Sequence, residues 1–237
     1  MLQDQRIVII GGSSGIGLET AKQAIDLGAE VIIASRSEDK LQKAKEILNS
    51  KTTAFQLDTT DELQVQSFFD KVGHFDHLVI SAAETSGGSF LQMDSDQARK
   101  LFENKFWGQY YAAKYGAAKI SPFGSITLFS GVVAYKAMVG SSVLGAVNAA
   151  ISNLGQTLAL ELAPIRVNIV SPGIIDTPSR SKMPEDAREN FYATLAGKLP
   201  VKRVGKPEDV AQSVLYLLQN SFVTGTVLHV EGGHILI

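Results

Sequence analysis

Arg6-Ile-Val-Ile-Ile10, followed at once by Gly11-Gly12-Ser13-Ser14-Gly15-Ile16-Gly17, decides the fold of this chain. The first five residues form a short apolar run rich in β-branched side chains. That is the composition of a strand buried on both faces of a parallel sheet. From Leu18 to Leu27 the apolar spacing becomes helical. Three glycines punctuate the turn between them. Gly11 permits a tight turn, Gly15 lets the backbone approach a pyrophosphate, and Gly17 lets helix and strand pack closely. The helix N-terminus then offers unpaired N–H groups and a positive dipole end to that phosphate. Ser13, Ser14 and Ile16 complete the loop. An ordinary glycine-rich turn is the plainer alternative, and the flanking strand and helix argue against it.

Outward from this stretch, strands and helices alternate. The pattern predicts strands over 30–34, 52–57, 75–80, 125–129, 166–170 and 223–230. It predicts helices over 38–49, 61–72, 94–118, 141–162 and 207–219. Asp61 is an acidic cap, Pro207 stands in a first turn, and the helix over 141–162 stops at Pro164. Ser141 or Ser142 is expected to cap that helix. This alternation implies an α/β fold: one doubly wound, seven-stranded parallel sheet with right-handed crossovers and helices on both faces. Neither repeat nor linker interrupts it, so residues 1–237 are expected to form a single dinucleotide-binding domain.

Composition agrees. The 237 residues are 45% hydrophobic and 19% charged, enough for one sizeable core. A net charge of −2 without long basic or acidic runs gives no reason to expect nucleic acid or an anionic membrane as partner. The chain has no cysteine, hence no disulfide, thiolate nucleophile or cysteine metal site. The start, Met1-Leu-Gln-Asp-Gln-Arg6, shows no signal peptide, and no apolar stretch reads as long enough to span a bilayer. A cytoplasmic location is expected. His74, His77, His229 and His234 lack the spacing of a metal site, so no metal is expected.

With these elements placed, the chain resembles the short-chain dehydrogenase/reductase family over essentially its whole length. The glycine run matches, with Ile10 in place of the family's usual threonine. Asp58 matches the aspartate that binds the adenine. Asn104, in Phe102-Glu-Asn-Lys-Phe-Trp-Gly108, matches the helix asparagine. Leu160-Glu-Leu-Ala-Pro-Ile-Arg-Val-Asn-Ile-Val-Ser-Pro-Gly173 and Thr226-Val-Leu-His-Val-Glu-Gly-Gly233 match the last two strands. The resemblance implies a Rossmann-type fold, a nicotinamide dinucleotide and a small carbonyl or alcohol substrate. It implies that Pro172, Gly173, Ile175 and Thr177 hold the nicotinamide end. Ser81-Ala82-Ala83-Glu84 replaces the family's Asn-Asn-Ala-Gly and keeps room for the adenosine ribose. Ser35-Arg36 stands where an acidic residue would bind a free ribose 2′-hydroxyl. A guanidinium pairs with a 2′-phosphate, and Ser35 and Ser13 add hydroxyl donors, so NADP(H) is expected over NAD(H). The plainer role for Arg36 is a solvated surface charge.

The catalytic positions depart from the family. Its tyrosine and lysine lie four residues apart on one helix face, with a serine at the end of the fifth strand. The aligned residues here are Leu144, Asn148 and Gly131. Leu144 exchanges no proton. Asn148 carries no charge, although its amide can reach the ribose hydroxyls. Of the four family positions only Asn104 remains. The other spacing, tyrosine six before lysine, falls on Ser141. Substitute donors are Ser130, Tyr135, Ser141 and Ser142, so the catalytic candidates are Asn104, Ser130 and Tyr135. Residues 176–203, with Pro178, Arg180, Lys182, Met183, Pro184 and Phe191, resemble the family's substrate lid. Trp107, Tyr110 and Tyr111 read as core or subunit contact. Phe102, Phe106, Tyr110, Leu154 and Leu158 exceed the apolar surface that one sheet face needs, so a homodimer or homotetramer is expected. Two functions stay open: an NADP(H)-dependent oxidoreductase with a non-standard proton donor, and a catalytically silent NADP(H)-binding sensor or partner subunit.

Overall fold

In the computed structural model, seven strands form one parallel sheet: β1 (Arg6–Ile10), β2 (Glu30–Ser35), β3 (Thr53–Gln56), β4 (Phe75–Ile80), β5 (Ile120–Phe129), β6 (Arg166–Pro172) and β7 (Val227–Val230). The structure describes residues 2–48, 52–82, 87–181 and 183–237. The strand order is β3-β2-β1-β4-β5-β6-β7. It reverses between β1 and β4, which opens a crevice beyond their carboxyl ends, the place where such sheets bind ligands.

Side chains alternate across β1 and so divide the core in two. Val8 and Ile10 pack with residues of α3 (Glu62–Val72), α4 (Ser95–Phe102), α5 (Gly108–Ala117) and α6 (Ser142–Glu161). Ile7 and Ile9 face the other way, toward α1 (Gly15–Asp26), α2 (Glu38–Leu48) and α8 (Pro207–Gln219). Asp61 caps α3 as expected, its carboxylate accepting from Gln64 N.

Five expectations need correction. The helix over 94–118 is not uniform: between α4 and α5, residues Glu103–Trp107 wind as a π-helix. β5 begins at Ile120, because the polar Ser-Pro-Phe-Gly stretch bulges within the strand instead of ending it: Phe75 pairs with Ile120 and His77 with Ser125. β7 begins only at Val227. Ahead of it, backbone bonds run from Gly225 N to Val167 O and from Ile169 N to Thr226 O, and the Asn168 side chain donates to Val223 O and accepts from Thr226 N. Ser141 stands at the start of α6 without a side-chain cap bond, its ψ of 17° lying outside the extended region that capping uses. Finally, α6 is long and apolar enough to cross a membrane by length and composition. It lies instead on the sheet between β5 and β6, with Val147, Asn148, Ile151, Ser152, Gly155 and Ala159 buried.

Candidate active site

The crevice is built from chain crossings too close for side chains. Gly11 has φ +92°, and a Cβ there would lie 2.5 Å from Ala82 N. A Cβ on Gly17 would lie 2.2 Å from Gly11 O. Ile10 O meanwhile accepts from Ser81 N (2.9 Å), Ala82 N (3.1 Å) and Ser81 Oγ (3.2 Å). The glycine turn is thereby fixed against the end of β4. Ser14 precedes α1 with no side-chain cap bond, which leaves the helix N-terminus open to an anion.

The remaining nucleotide candidates line the same edge. Ser35 ends β2, and its Oγ is buried without a partner. Arg36 is exposed beside it, its carbonyl accepting from Gln56 Nε2 at 2.9 Å. Asp58, just beyond β3, accepts from Thr60 N (3.0 Å) and Thr60 Oγ1 (2.8 Å) through one carboxylate oxygen. Ala83 and Glu84 lie outside the described residues. Pro172 ends β6, and Gly173 N donates to Val230 O at 3.0 Å. Ile175 is buried and bridges to Gly205. A Cβ on Gly15 would touch Thr177 at 3.4 Å, so the start of the 176–203 segment meets the glycine turn. That segment carries a 3-10 turn (Pro178–Arg180) and a helix the sequence did not suggest, α7 (Glu185–Lys198), with Arg180 packed over the Phe191 ring. Lys182 lies outside the described residues.

At the catalytic end, Leu144 packs against the core. Asn148 is 1% exposed. The candidate Asn104 points along its own helix, donating to Lys100 O at 2.9 Å. The next residue, Lys105, turns inward instead and is only 4% exposed. Its ammonium donates to Ser130 O at 3.0 Å and to Asn148 Oδ1. Burial alone pulls its pKa from 10.5 to about 7. Ser130 Oγ donates to Asn148 O at 2.8 Å and accepts from Ser152 Oγ at 2.8 Å, so its proton is committed to a backbone carbonyl. Gln109 ties the helix to the strand: its Nε2 donates to Lys105 O and Phe129 O, and its Oε1 accepts from Phe129 N. Tyr135 lies apart from this cluster, partly exposed on the loop after β5, with its ring edge-on to His229 at 4.5 Å.

Sequence reasoning missed Lys105, Gln109 and Ser152. A signal existed: Leu101, Lys105, Gly108 and Ala112 recur at helical spacing on a stripe whose other members are small or apolar. A lysine within such a stripe is buried or snorkels from it.

His77, by contrast, sits within β4, its ring nitrogens bonded to Ser125 Oγ (2.8 Å) and Gln5 Oε1 (3.0 Å). Burial pulls its pKa to about 4, so it is a neutral core residue. Phe106, Trp107, Tyr110 and Tyr111 form one aromatic cluster, from which Trp107 emerges at the surface.

Fold and sheet order together define an α/β protein of the Rossmann type. Residues 11–234 match the protein family described as Enoyl-(Acyl carrier protein) reductase. The short-chain dehydrogenase/reductase ATR9 of Stachybotrys chlorohalonatus (strain IBT 40285) is 31% identical over 258 residues, spanning 99% of this chain and 98% of its own. The 3-oxoacyl-[acyl-carrier-protein] reductase FabG of Thermotoga maritima (strain ATCC 43589 / DSM 3109 / JCM 10099 / NBRC 100826 / MSB8) is 33% identical over 252 residues, 99% of each chain. A solved small-chain dehydrogenase in complex with NADPH matches with a TM-score of 0.85 at 36% identity, over 99% of this chain and 100% of that one. The chain belongs to the short-chain dehydrogenase/reductase family of oxidoreductases.

Proposed function

We propose that this chain is an NADP(H)-dependent oxidoreductase that interconverts a small carbonyl compound and its alcohol, with a proton donor other than the family's tyrosine. The crevice carries this reading. Gly11 and Gly17 let the glycine turn close against the end of β4 and the start of α1, at the turn where a pyrophosphate would lie. Ser35 Oγ, buried and unpartnered, stands at the end of β2, within the region a 2′-phosphate would reach. The NADPH held by a solved relative supports the same cofactor here. When bound, that cofactor supplies the hydride.

The residues of the chain bind and orient. Gly11, Ser13, Ser14, Gly15, Ile16 and Gly17 hold the pyrophosphate. Ser35 and Arg36 hold the 2′-phosphate, and Asp58, Ser81 and Ala82 the adenosine. Pro172, Gly173, Ile175 and Thr177 hold the nicotinamide end, with Asn148 beside it. Asn104 and Ser130 are weaker catalytic candidates, because the bonds described above occupy their side chains. Tyr135, a phenol on the loop ahead of the missing tyrosine, is the first substitute donor to test, by Tyr135→Phe. Leu144 favours the second reading, a silent NADP(H)-binding sensor or partner subunit, and turnover separates the two.

Calorimetric titration of wild type and Arg36→Asp with NADPH and NADH tests the cofactor assignment. NADPH binds wild type more tightly, by on the order of 1.5–3 kcal/mol, the worth of a charge-assisted contact. The preference disappears in Arg36→Asp. Equal affinities in wild type contradict the assignment.

A further inference from the structure

The buried cluster at the end of β5 accounts for three departures from the family at once. The family carries an amide on the first long helix and an ammonium on the second. Here Asn104 keeps an amide on the first helix but spends it on Lys100 O, the side chain that turns inward is Lys105, and on the second helix it touches Asn148. An ammonium has donors only, so Asn148 must turn Oδ1 toward Lys105, and its Nδ2 then points away. It points at Gly131. A Cβ there would lie 2.8 Å from Nδ2, against 3.7 Å from Oδ1. Position 131 is where the family's serine orients the substrate oxygen. A glycine leaves that space to the amide.

We propose that Lys105 is a positioning residue: its ammonium holds the Asn148 amide with Nδ2 facing Gly131, where that N–H donates to the oxygen of a bound carbonyl. The amide polarises the carbonyl, in the manner of a preorganised oxyanion-hole donor, and does not deliver the proton. The proposal rests on the oxidoreductase function proposed above.

Everything around the pair holds it still. Ser130 donates to the Asn148 carbonyl and accepts in turn from Ser152, and Gln109 anchors Lys105 O to the end of β5. The hydrogen-bond partners of the ammonium, Ser130 O and Asn148 Oδ1, are neutral. With its pKa drawn to about 7 by burial, Lys105 loses its proton as pH rises through neutrality. A neutral amine can accept from Nδ2, and the amide is then free to turn.

The test uses the full chain. Asn148 side-chain amide signals, assigned with Asn148→Asp, are followed by NMR against pH in wild type and Lys105→Met. In parallel, NADPH affinity and kcat are measured on whichever member of a ketone and aldehyde panel wild type reduces fastest. The amide signals should move with a midpoint near 7 in wild type and ignore pH in Lys105→Met. In Lys105→Met, kcat should fall about 10²-fold while NADPH affinity changes less than about twofold, the split expected of a donor that acts on the reacting oxygen. If Lys105→Met does not fold, Gly131→Ala carries the test, since its methyl group presses on Nδ2 alone among the Asn148 atoms within 3 Å.

Amide signals indifferent to both pH and Lys105→Met overturn the pairing. Unchanged kcat in Lys105→Met or Gly131→Ala overturns the role, as does a wild type that binds NADPH and reduces nothing on the panel. Failure of wild type to bind NADPH overturns the function on which the proposal rests, and the amide signals then still decide the pairing.

Discussion

A buried lysine is costly unless its donors are used, and Lys105 spends two of its three on Ser130 O and Asn148 Oδ1. The remaining cost is visible through linkage. The pKa is about 7 in the folded chain against an ordinary 10.5. Between these values the unfolded chain binds a proton that the folded chain lacks, so stability rises with pH across that window. Below it the burial cost is present in full. The melting temperature of wild type should therefore climb relative to that of Lys105→Met between pH 7 and about pH 9. Parallel curves would show that Lys105 is not desolvated as described. At this scale the sequence was half legible. The glycines at 11 and 17 announce their close crossings, because no other residue fits them. Lys105 went unremarked because it is charged, although its helical phase places it among Leu101, Gly108 and Ala112. Asn104 drew attention instead, and its amide spends itself on Lys100 O.

Among the elements, strands with continuous apolar runs and helices with a clear stripe were readable within a few residues. Those defined by irregular pairing were not. The Ser-Pro-Phe-Gly stretch inside β5 carries turn residues, and only its partner β4 keeps it in the sheet. No residue of α7 is buried, so it left no apolar stripe to find. The π-helical segment between α4 and α5 has no sequence signature, yet it contains Lys105 and adjoins Gln109. The same pair of long helices carries the assembly prediction. Trp107 is 37% exposed beside stacked Phe106 and Tyr110, and Leu160 is 81% exposed on α6. Unless these faces are covered, the helices present more apolar surface than a monomer usually leaves open. A dimer or tetramer is the expected species in sedimentation at micromolar concentration. A monomer there would contradict the assignment of these faces to subunit contact.

On the scale of the whole molecule, one sheet order gathers all the candidate groups. With every strand parallel, the glycine turn, Ser35, Asp58, Ser81, Ser130 and Pro172 stand along one edge of the sheet although the chain separates them. That part follows from alternation and the glycine run. The chemistry does not, because it depends on which side chain of a helix turns inward. In the proposed oxidoreductase the family's framework is kept while the inward-facing ammonium has moved to the first helix and the inward-facing amide to the second. A single assay of NADPH-dependent reduction across a carbonyl panel tests it. The variants are wild type, the triple Gly131→Ser, Leu144→Tyr, Asn148→Lys, and the same triple with Lys105→Asn added. The triple sets a second ammonium against Lys105, and like charges in a buried site oppose each other. The fourth change removes that opposition and puts an amide on the inward face of the first helix, with the ammonium on the second. Weak turnover is expected in wild type and in the triple, with a gain on the order of 10²–10⁴-fold in the quadruple, the worth of a positioned proton donor. Wild-type turnover of generic carbonyls at ordinary enzyme rates, about 1–10³ s⁻¹, or a triple variant as active as the quadruple, would contradict it.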